Sequence, residues 1–264
     1  MPFSLGELLV VTLIIHMIDT FAYAVRLNSV KTGQFALSVT LFNLFYLISL
    51  VAHTIQAPLI GSLIDSSLSQ SIDPLPQLRR LILAATAGTF AGILFMPTFL
   101  QFFHRAVFNL ERAGSVPAIV REAVKIRSPG RLLHYFTLPS KRMVRNLPFQ
   151  KIPKELIALN ALVTGIYTVG GMSAYYAAIL VPEGHRLAAA ASAGFLNTSA
   201  NIIFMLFVDP KSSIITDQAL RGNRPYADVK ALVVFLMSAK LLGTFLGQLL
   251  LVPLAQAIAA FYLK

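Results

Sequence analysis

His16-Met17-Ile18-Asp19-Thr20-Phe21-Ala22-Tyr23-Ala24-Val25-Arg26 lies in an apolar run from about residue 5 to residue 28, long enough to cross a membrane as a helix. A helix turns by about 100° per residue, so Thr12, His16, Asp19, Tyr23 and Arg26 fall within about 80° of arc. One face of an oily helix therefore carries a ladder of groups that donate, accept or hold charge. An aspartate at the centre of a bilayer helix costs about 2.5–3.5 kcal/mol on insertion scales. Such a face has to look into a bundle or a wet cavity. A lone Asp can serve as helix-to-helix glue, whereas a whole ladder favours a functional site.

The rest of the chain is built to the same plan. Of its 264 residues 56% are hydrophobic and only 12% charged, with mean hydropathy +0.71, which places it among polytopic membrane proteins. Six runs are long enough to span: about 5–28, 33–56, 81–103, 157–181, 187–208 and 231–262. The second ends in Gln56-Ala57-Pro58, where Pro58 is expected to stop or kink the helix. The last exceeds what a bilayer needs and is expected to tilt or break at Pro253. No Lys or Arg precedes Arg26, so the N-terminus lacks the basic segment of a cleaved signal peptide and reads as a retained first span. The absence of cysteine excludes disulfides, thiolate nucleophiles and cysteine-bound metals.

The net charge of +11 is concentrated in one place. Residues 104–156 carry eleven Lys and Arg against Glu111, Glu122 and Glu155. Positive loops stay inside, which makes this stretch a large cytoplasmic loop and puts both termini outside. Only Arg79, Arg80, Arg186 and Lys264 then fall outside. Segments 116–126 and 131–147 read as basic amphipathic pieces on the inner leaflet, so the expected partner of the charge is anionic phospholipid, not nucleic acid.

The two halves also match. A shift of about 152 residues sets Ala22-Tyr23 on Ala174-Tyr175, and Pro58, Asp65 and Leu68 on Pro210, Asp217 and Leu220. Three residues more set Gly88-Thr89-Phe90-Ala91-Gly92 on Gly243-Thr244-Phe245-Leu246-Gly247. Convergence of glycine-rich packing motifs is the alternative, but the common order argues for duplication. Three spans per half is an odd number, so the second half would insert upside down. The expected fold is therefore all-α and integral to the membrane, one domain over 1–264. Two inverted three-helix repeats, 1–103 and 157–264, flank the basic loop 104–156. Inverted repeats of this kind build many alternating-access transporters, with the site near mid-membrane.

Lys240 is the second costly group, inside the sixth span with Gly243 and Gly247 on the same broad face. It can pair with Asp19, or it can meet an anionic substrate together with Arg26 while Asp19 and His16 exchange protons. The Gly243-x-x-x-Gly247 face suits a homodimer or packing within one chain equally. Asn43, Tyr46 and His53 share an arc of the second span, and Asn197 and Asn201 lie one turn apart in the fifth; both sets read as faces turned to the bundle. Gly170-Gly171 in the fourth span allow a tight crossing or local unwinding. Arg79-Arg80 can pair with Asp65 or Asp73 or catch phosphate at the outer surface. His16 and Asp19 lack further ligands nearby, so no metal site is expected. Neither Gly-x-Ser-x-Gly, nor His-Glu-x-x-His, nor a pair of membrane aspartates occurs, which leaves enzymatic readings without support.

The runs HMIDTFAYAVRLNSVKTGQFALS from His16, IQAPLIGSLID from Ile55 and YTVGGMSAYYA from Tyr167 resemble the Amj family of bacterial lipid II flippases, alternates to MurJ in cell-wall synthesis. The likeness covers nearly the whole chain, including the expected Ala57-Pro58-x-x-Gly61 turn. Members of that family tend to carry Glu and Arg where this chain has Asp19 and Lys31. Both departures keep the charge but shorten the carboxylate's reach and lose the guanidinium's bidentate fork. The resemblance implies lipid II as substrate, an undecaprenyl pyrophosphate bearing a disaccharide-pentapeptide. It also implies a multi-pass protein of the bacterial cell membrane, with no cofactor. On that basis Arg26 and Lys31 would attract the headgroup and Lys240 would carry the pyrophosphate, with Tyr23, Asn43, Asn197 and Asn201 lining its path. His16, Asp19 and His53 would couple charge or protons, and Pro58, Gly170, Gly171, Gly243, Gly247 and Pro253 would act as hinges. A transporter of a small solute or ion, and a scaffold that binds the lipid without moving it, are the other readings open to this sequence.

Overall fold

The computed structural model describes residues 4–114 and 136–263. Ser4 starts α1 (Leu5–Phe21) with a capping box: its hydroxyl accepts from the Glu7 backbone N–H at 3.3 Å, and Glu7 accepts from the Ser4 N–H at 2.7 Å. A tightened turn at Ala22 and Tyr23, with bonds reaching back three residues rather than four, leads into α2 (Ala24–Thr32). Gly33, at φ +71°, ends α2 in the left-handed conformation. Then follow α3 (Phe35–Ser69), α4 (Leu75–Ala113), a one-turn α5 (Lys141–Val144), α6 (Lys154–Leu180), α7 (Arg186–Ile203), α8 (Asp209–Leu220) and α9 (Tyr226–Tyr262). A wide π-type turn, Phe204–Val208, joins α7 to α8 without a break in the rod.

Six helical stretches are long and apolar enough to cross a membrane: Leu5–Thr32, Phe35–Ser69, Leu75–Leu110, Lys154–Leu180, Glu183–Leu220 and Tyr226–Tyr262. The described residues are thus all-helical, with six helices fit in length and composition for a six-span membrane protein. Most of these rods outreach the apolar runs that announced them. At about 1.5 Å per residue, α9 is about 55 Å long against a hydrocarbon core of about 30 Å, so it tilts or projects.

The prolines correct the expectation of breaks. α3 continues eleven residues past Pro58, and α4 and α9 run through Pro97 and Pro253. Ala57-Pro58-x-x-Gly61 is accordingly helix, not turn. A proline inside a helix forfeits one hydrogen bond, whereas ending the helix in lipid would strand several backbone groups without water. Gly170 and Gly171 likewise sit within an unbroken α6. The irregular points of the spans lie elsewhere, at Ala22–Tyr23 and at the π turn.

Glycines set the closest approaches. A Cβ on Gly88 of α4 would strike the backbone of Leu13 in α1, and one on Gly92 would lie 2.6 Å from Thr20 Cβ. A Cβ on Gly243 of α9 would strike the Ala161 carbonyl of α6 and lie 2.7 Å from Thr164 Cβ; one on Gly247 would lie 2.8 Å from Val169 Cγ1. So α4 is pressed on α1 and α9 on α6, in each case through a Gly-x-x-x-Gly pair. The Gly243–Gly247 face is filled by α6 of the same chain and is not available to a second copy.

Two large apolar clusters form along the bundle. One joins Ala24 and Leu27, Met96, Leu156, Ile215 and Ala219, and Val229 through Met237. The other joins Leu8, Ile60 to Ile64, Leu78 to Ile82, Val169 and Met172, and Leu251. Along α1–α2, α6 and α9 alike, a stretch of polar residues separates them. The described part of the basic loop folds back on the bundle: Thr137 exchanges hydrogen bonds with Thr98 at 3.0 and 2.9 Å. The amphipathic segment expected at 116–126, and the beginning of the one at 131–147, lie outside the described residues.

Candidate functional site

Between the apolar clusters, α1, α3, α6 and α9 bring their polar groups together. Asp19, from the ladder on α1, accepts a hydrogen bond from the Ser49 hydroxyl of α3, and His53 Nε2 lies 3.3 Å from its other oxygen. The His16 and His53 rings meet edge to face at 6.2 Å, and His53 meets Tyr167 of α6 at 5.9 Å in the same manner. Lys240 of α9 is 8% exposed, with its ammonium 6.0 Å from the centre of the Tyr23 ring, at the edge of cation–π range. One turn or two toward the N-terminus, Gln56 Nε2 donates to Thr12 Oγ1 at 2.6 Å, and Thr12 donates in turn to the Leu8 carbonyl.

Asp19 and Lys240 feel each other's charge, yet they do not form an ion pair within 4.0 Å. The carboxylate is held by Ser49 and His53 instead. That leaves a buried ammonium whose only close aromatic partner among the described residues is Tyr23, and a buried His16 Nδ1 without a hydrogen-bond partner. A centre with an under-partnered cation and an under-partnered imidazole has room in its chemistry for an anionic or proton-carrying guest.

The ladder continues across the bend into α2, where Arg26 leaves this centre. Its Nη2 meets Asp209 Oδ1 at 2.5 Å and its Nη1 reaches Ser213 Oγ at 3.4 Å, both on α8. Lys31 is exposed at the end of α2. Asn43 is exposed on α3 and Asn201 on α7; Tyr46 is exposed too, though near enough to Tyr167 of α6 for the two to interact, so of the faces expected to turn inward His53 and Asn197 do so and Asn43 and Asn201 do not. Asn197 lies against Gly170 of α6, where a Cβ would strike its Oδ1. Arg79 takes neither Asp65 nor Asp73: it donates to the Gln248 carbonyl at 3.0 Å, and Gln248 donates back to the Arg79 carbonyl at 2.9 Å.

Of the residues singled out from the sequence, His16, Asp19, Tyr23, His53 and Lys240 converge. Ser49, Gln56, Tyr167 and Asp209 were not anticipated. The first two had a signal, since Ser49, His53 and Gln56 follow the i, i+4, i+7 spacing of one helical face. Tyr167 and Asp209 had none, because their partners lie more than a hundred residues away.

A bundle of six helices long and apolar enough to span, with charged side chains gathered at its centre, has the build of a multi-pass membrane protein. The chain belongs to the Amj family, described as alternate to MurJ, whose model matches residues 11–262. It is 37% identical over 249 residues to the lipid II flippase Amj of Bacillus subtilis (strain 168), covering 94% of this chain and 92% of that protein. No solved structure matches it.

Proposed function

We propose that this chain is a lipid II flippase of the bacterial cell membrane. It would carry the undecaprenyl-pyrophosphate-linked peptidoglycan precursor from the inner to the outer leaflet by alternating access. The observation that carries the reading is an unpaired Lys240 at the polar centre of a chain so similar to a named lipid II flippase. The pyrophosphate is the part of lipid II most costly to move through hydrocarbon, and a cation facing an internal site offsets that cost. Lys240 and Tyr23 receive the headgroup, while Asp19, His16 and His53 form the group that exchanges charge or protons. Arg26 and the exposed Lys31 lie at the mouth, where the headgroup first arrives. Asn43, Asn197 and Asn201 lie outside the polar centre and have no part in this reading.

The matched glycine pairs support two inverted repeats of three spans each. In each half the third span presses a Gly-x-x-x-Gly pair on the first, Gly88 and Gly92 on α1 and Gly243 and Gly247 on α6. The distribution of Lys and Arg supports both termini outside and the basic loop inside, against anionic phospholipid. Such repeats exchange conformations as they rock, so that the site opens first to one leaflet and then to the other.

The test is lipid II exposure in cells depleted of their resident flippase and expressing this chain, read by an externally added enzyme that cleaves lipid II. Cleavage is expected with the native chain and lost with Lys240→Ala at equal abundance. Cleavage absent with the native protein in the membrane would favour a small-solute transporter or a lipid-binding scaffold.

A further inference from the structure

Arg26 and Asp209 are 183 residues apart, one in the first three spans and the other in the last three, and their side chains meet at 2.5 Å. Ser213, one turn further along α8, stands beside the same guanidinium at 3.4 Å. The partners are unequal. The Arg26 side chain is 16% exposed and fixed at the bend between α1 and α2, whereas Asp209 is 47% exposed. Among the described residues Asp209 has no other ion-pair partner, since nearby Lys211 pairs with Glu155 at 3.7 Å.

We propose that Asp209 is an internal stand-in for a phosphoryl group. On this view Arg26 is an anion site whose place is held by Asp209, and an incoming pyrophosphate takes that place and so releases α8 from α2. The inference rests on the flippase reading and adds to it a carboxylate that the substrate must displace. Three observations carry it. First, a guanidinium is a planar fork: the carboxylate takes one prong with one oxygen, the other reaches only Ser213 at 3.4 Å, and a phosphoryl group can fill both. Second, a half-exposed ion pair is weak, so it can hold a seam shut and yet yield to a ligand carrying more charge. Third, Asp209 follows directly on the π turn Phe204–Val208, a helical irregularity of the kind found at functional sites. That turn gives α8 a place to pivot while the buried cation stays put.

Beneath the pair, Ala24 and Leu27 of α2 pack with Ile215 and Ala219 of α8. Opening the latch uncovers this seam. The chain has no cysteine, so Ala219→Cys, at a site 8% exposed, makes a reporter without background. The full chain carrying it is placed in vesicles and its rate of labelling by a membrane-impermeant maleimide is measured. Slow labelling is expected with the native pair and with Asp209→Glu. Labelling about three to five times faster is expected with Asp209→Asn, the factor that so exposed a pair sustains. The reversed pair, Arg26→Asp with Asp209→Arg, is expected to be slow again. With the native pair, undecaprenyl pyrophosphate in the bilayer is expected to speed labelling and undecaprenol to leave it unchanged.

Equal rates for the native pair and Asp209→Asn overturn the latch. So does equal labelling with the two lipids, a comparison that needs no altered latch residue. If the pyrophosphate lipid opens the seam but lipid II never reaches the outer leaflet, the flippase reading fails and the latch stands. Normal lipid II exposure with a silent reporter overturns the latch alone.

Discussion

Asp19 of α1 takes its hydrogen bonds from Ser49 and His53, both on α3, and none from Lys240. The carboxylate is thereby tied to the more loosely packed helix, and the ammonium is free for another anion. Asp19→Asn is expected to keep the Ser49 contact and the fold, so the protein should reach the membrane in normal amount. Lipid II exposure should fall at least about tenfold, since a missing charge in the bilayer interior changes energies by more than the 1.4 kcal/mol that a decade requires.

Lys240→Met keeps the length and apolar stem of the side chain and removes its charge. Burial already costs the ammonium its hydration, so the variant is expected to be as stable as the native chain or more so. Its thermal unfolding in detergent should shift upward or not at all while lipid II exposure is lost. Stability and activity moving in opposite directions would mark a residue kept for its work rather than for the fold.

The glycine contacts separate by surroundings. Gly88→Ala and Gly243→Ala place a methyl against the backbone of Leu13 and of Ala161, which cannot give way. Each is expected to cost about 1–3 kcal/mol or more by overpacking. Gly171→Ala, with open space around its Cβ, should be neutral or slightly stabilising, because alanine is the better helix former. Melting temperatures of the three purified variants make the comparison.

Asp228 is 1% exposed at the start of α9, with Arg224 at 3.0 Å and Lys151 at 3.9 Å. Asp228→Ala removes a buried anion while Arg224 and Lys151 keep access to water, and is expected to cost about 1–3 kcal/mol, seen as reduced abundance in the membrane. By contrast, Gln56→Leu removes a single interhelical hydrogen bond to Thr12 and should cost about 0.6 kcal/mol, barely visible in the same measurement.

The six spans were legible because length and hydropathy decide them, and the ladder from Thr12 to Tyr23 because helical period alone puts those groups on one face. The ends of the rods were not legible. Pro58 and Pro253 look like stops in water but are tolerated where a broken helix would cost more. Asn43 and Asn201 show the limit of periodicity: each shares an arc with a residue turned to the bundle, His53 or Asn197, yet is itself exposed where the helix packs less closely. The partner of Arg26 was hidden for a different reason, since contact between distant helices is a property of the packed bundle.

Leu8, Ile82 and Leu251 pack on one side of the polar centre, and Leu232, Leu236 and Met237 on the other, so apolar layers flank it at both ends. A polarised membrane stores energy as voltage, about 2.3 kcal/mol for each elementary charge per 100 mV. A protein that carries titratable groups at its centre would discharge that store if water reached them from both ends at once. For a flippase of the kind proposed, twin oily layers flanking histidine, aspartate and lysine are what stands against a continuous proton wire, the condition for holding a site for charged cargo without a short circuit.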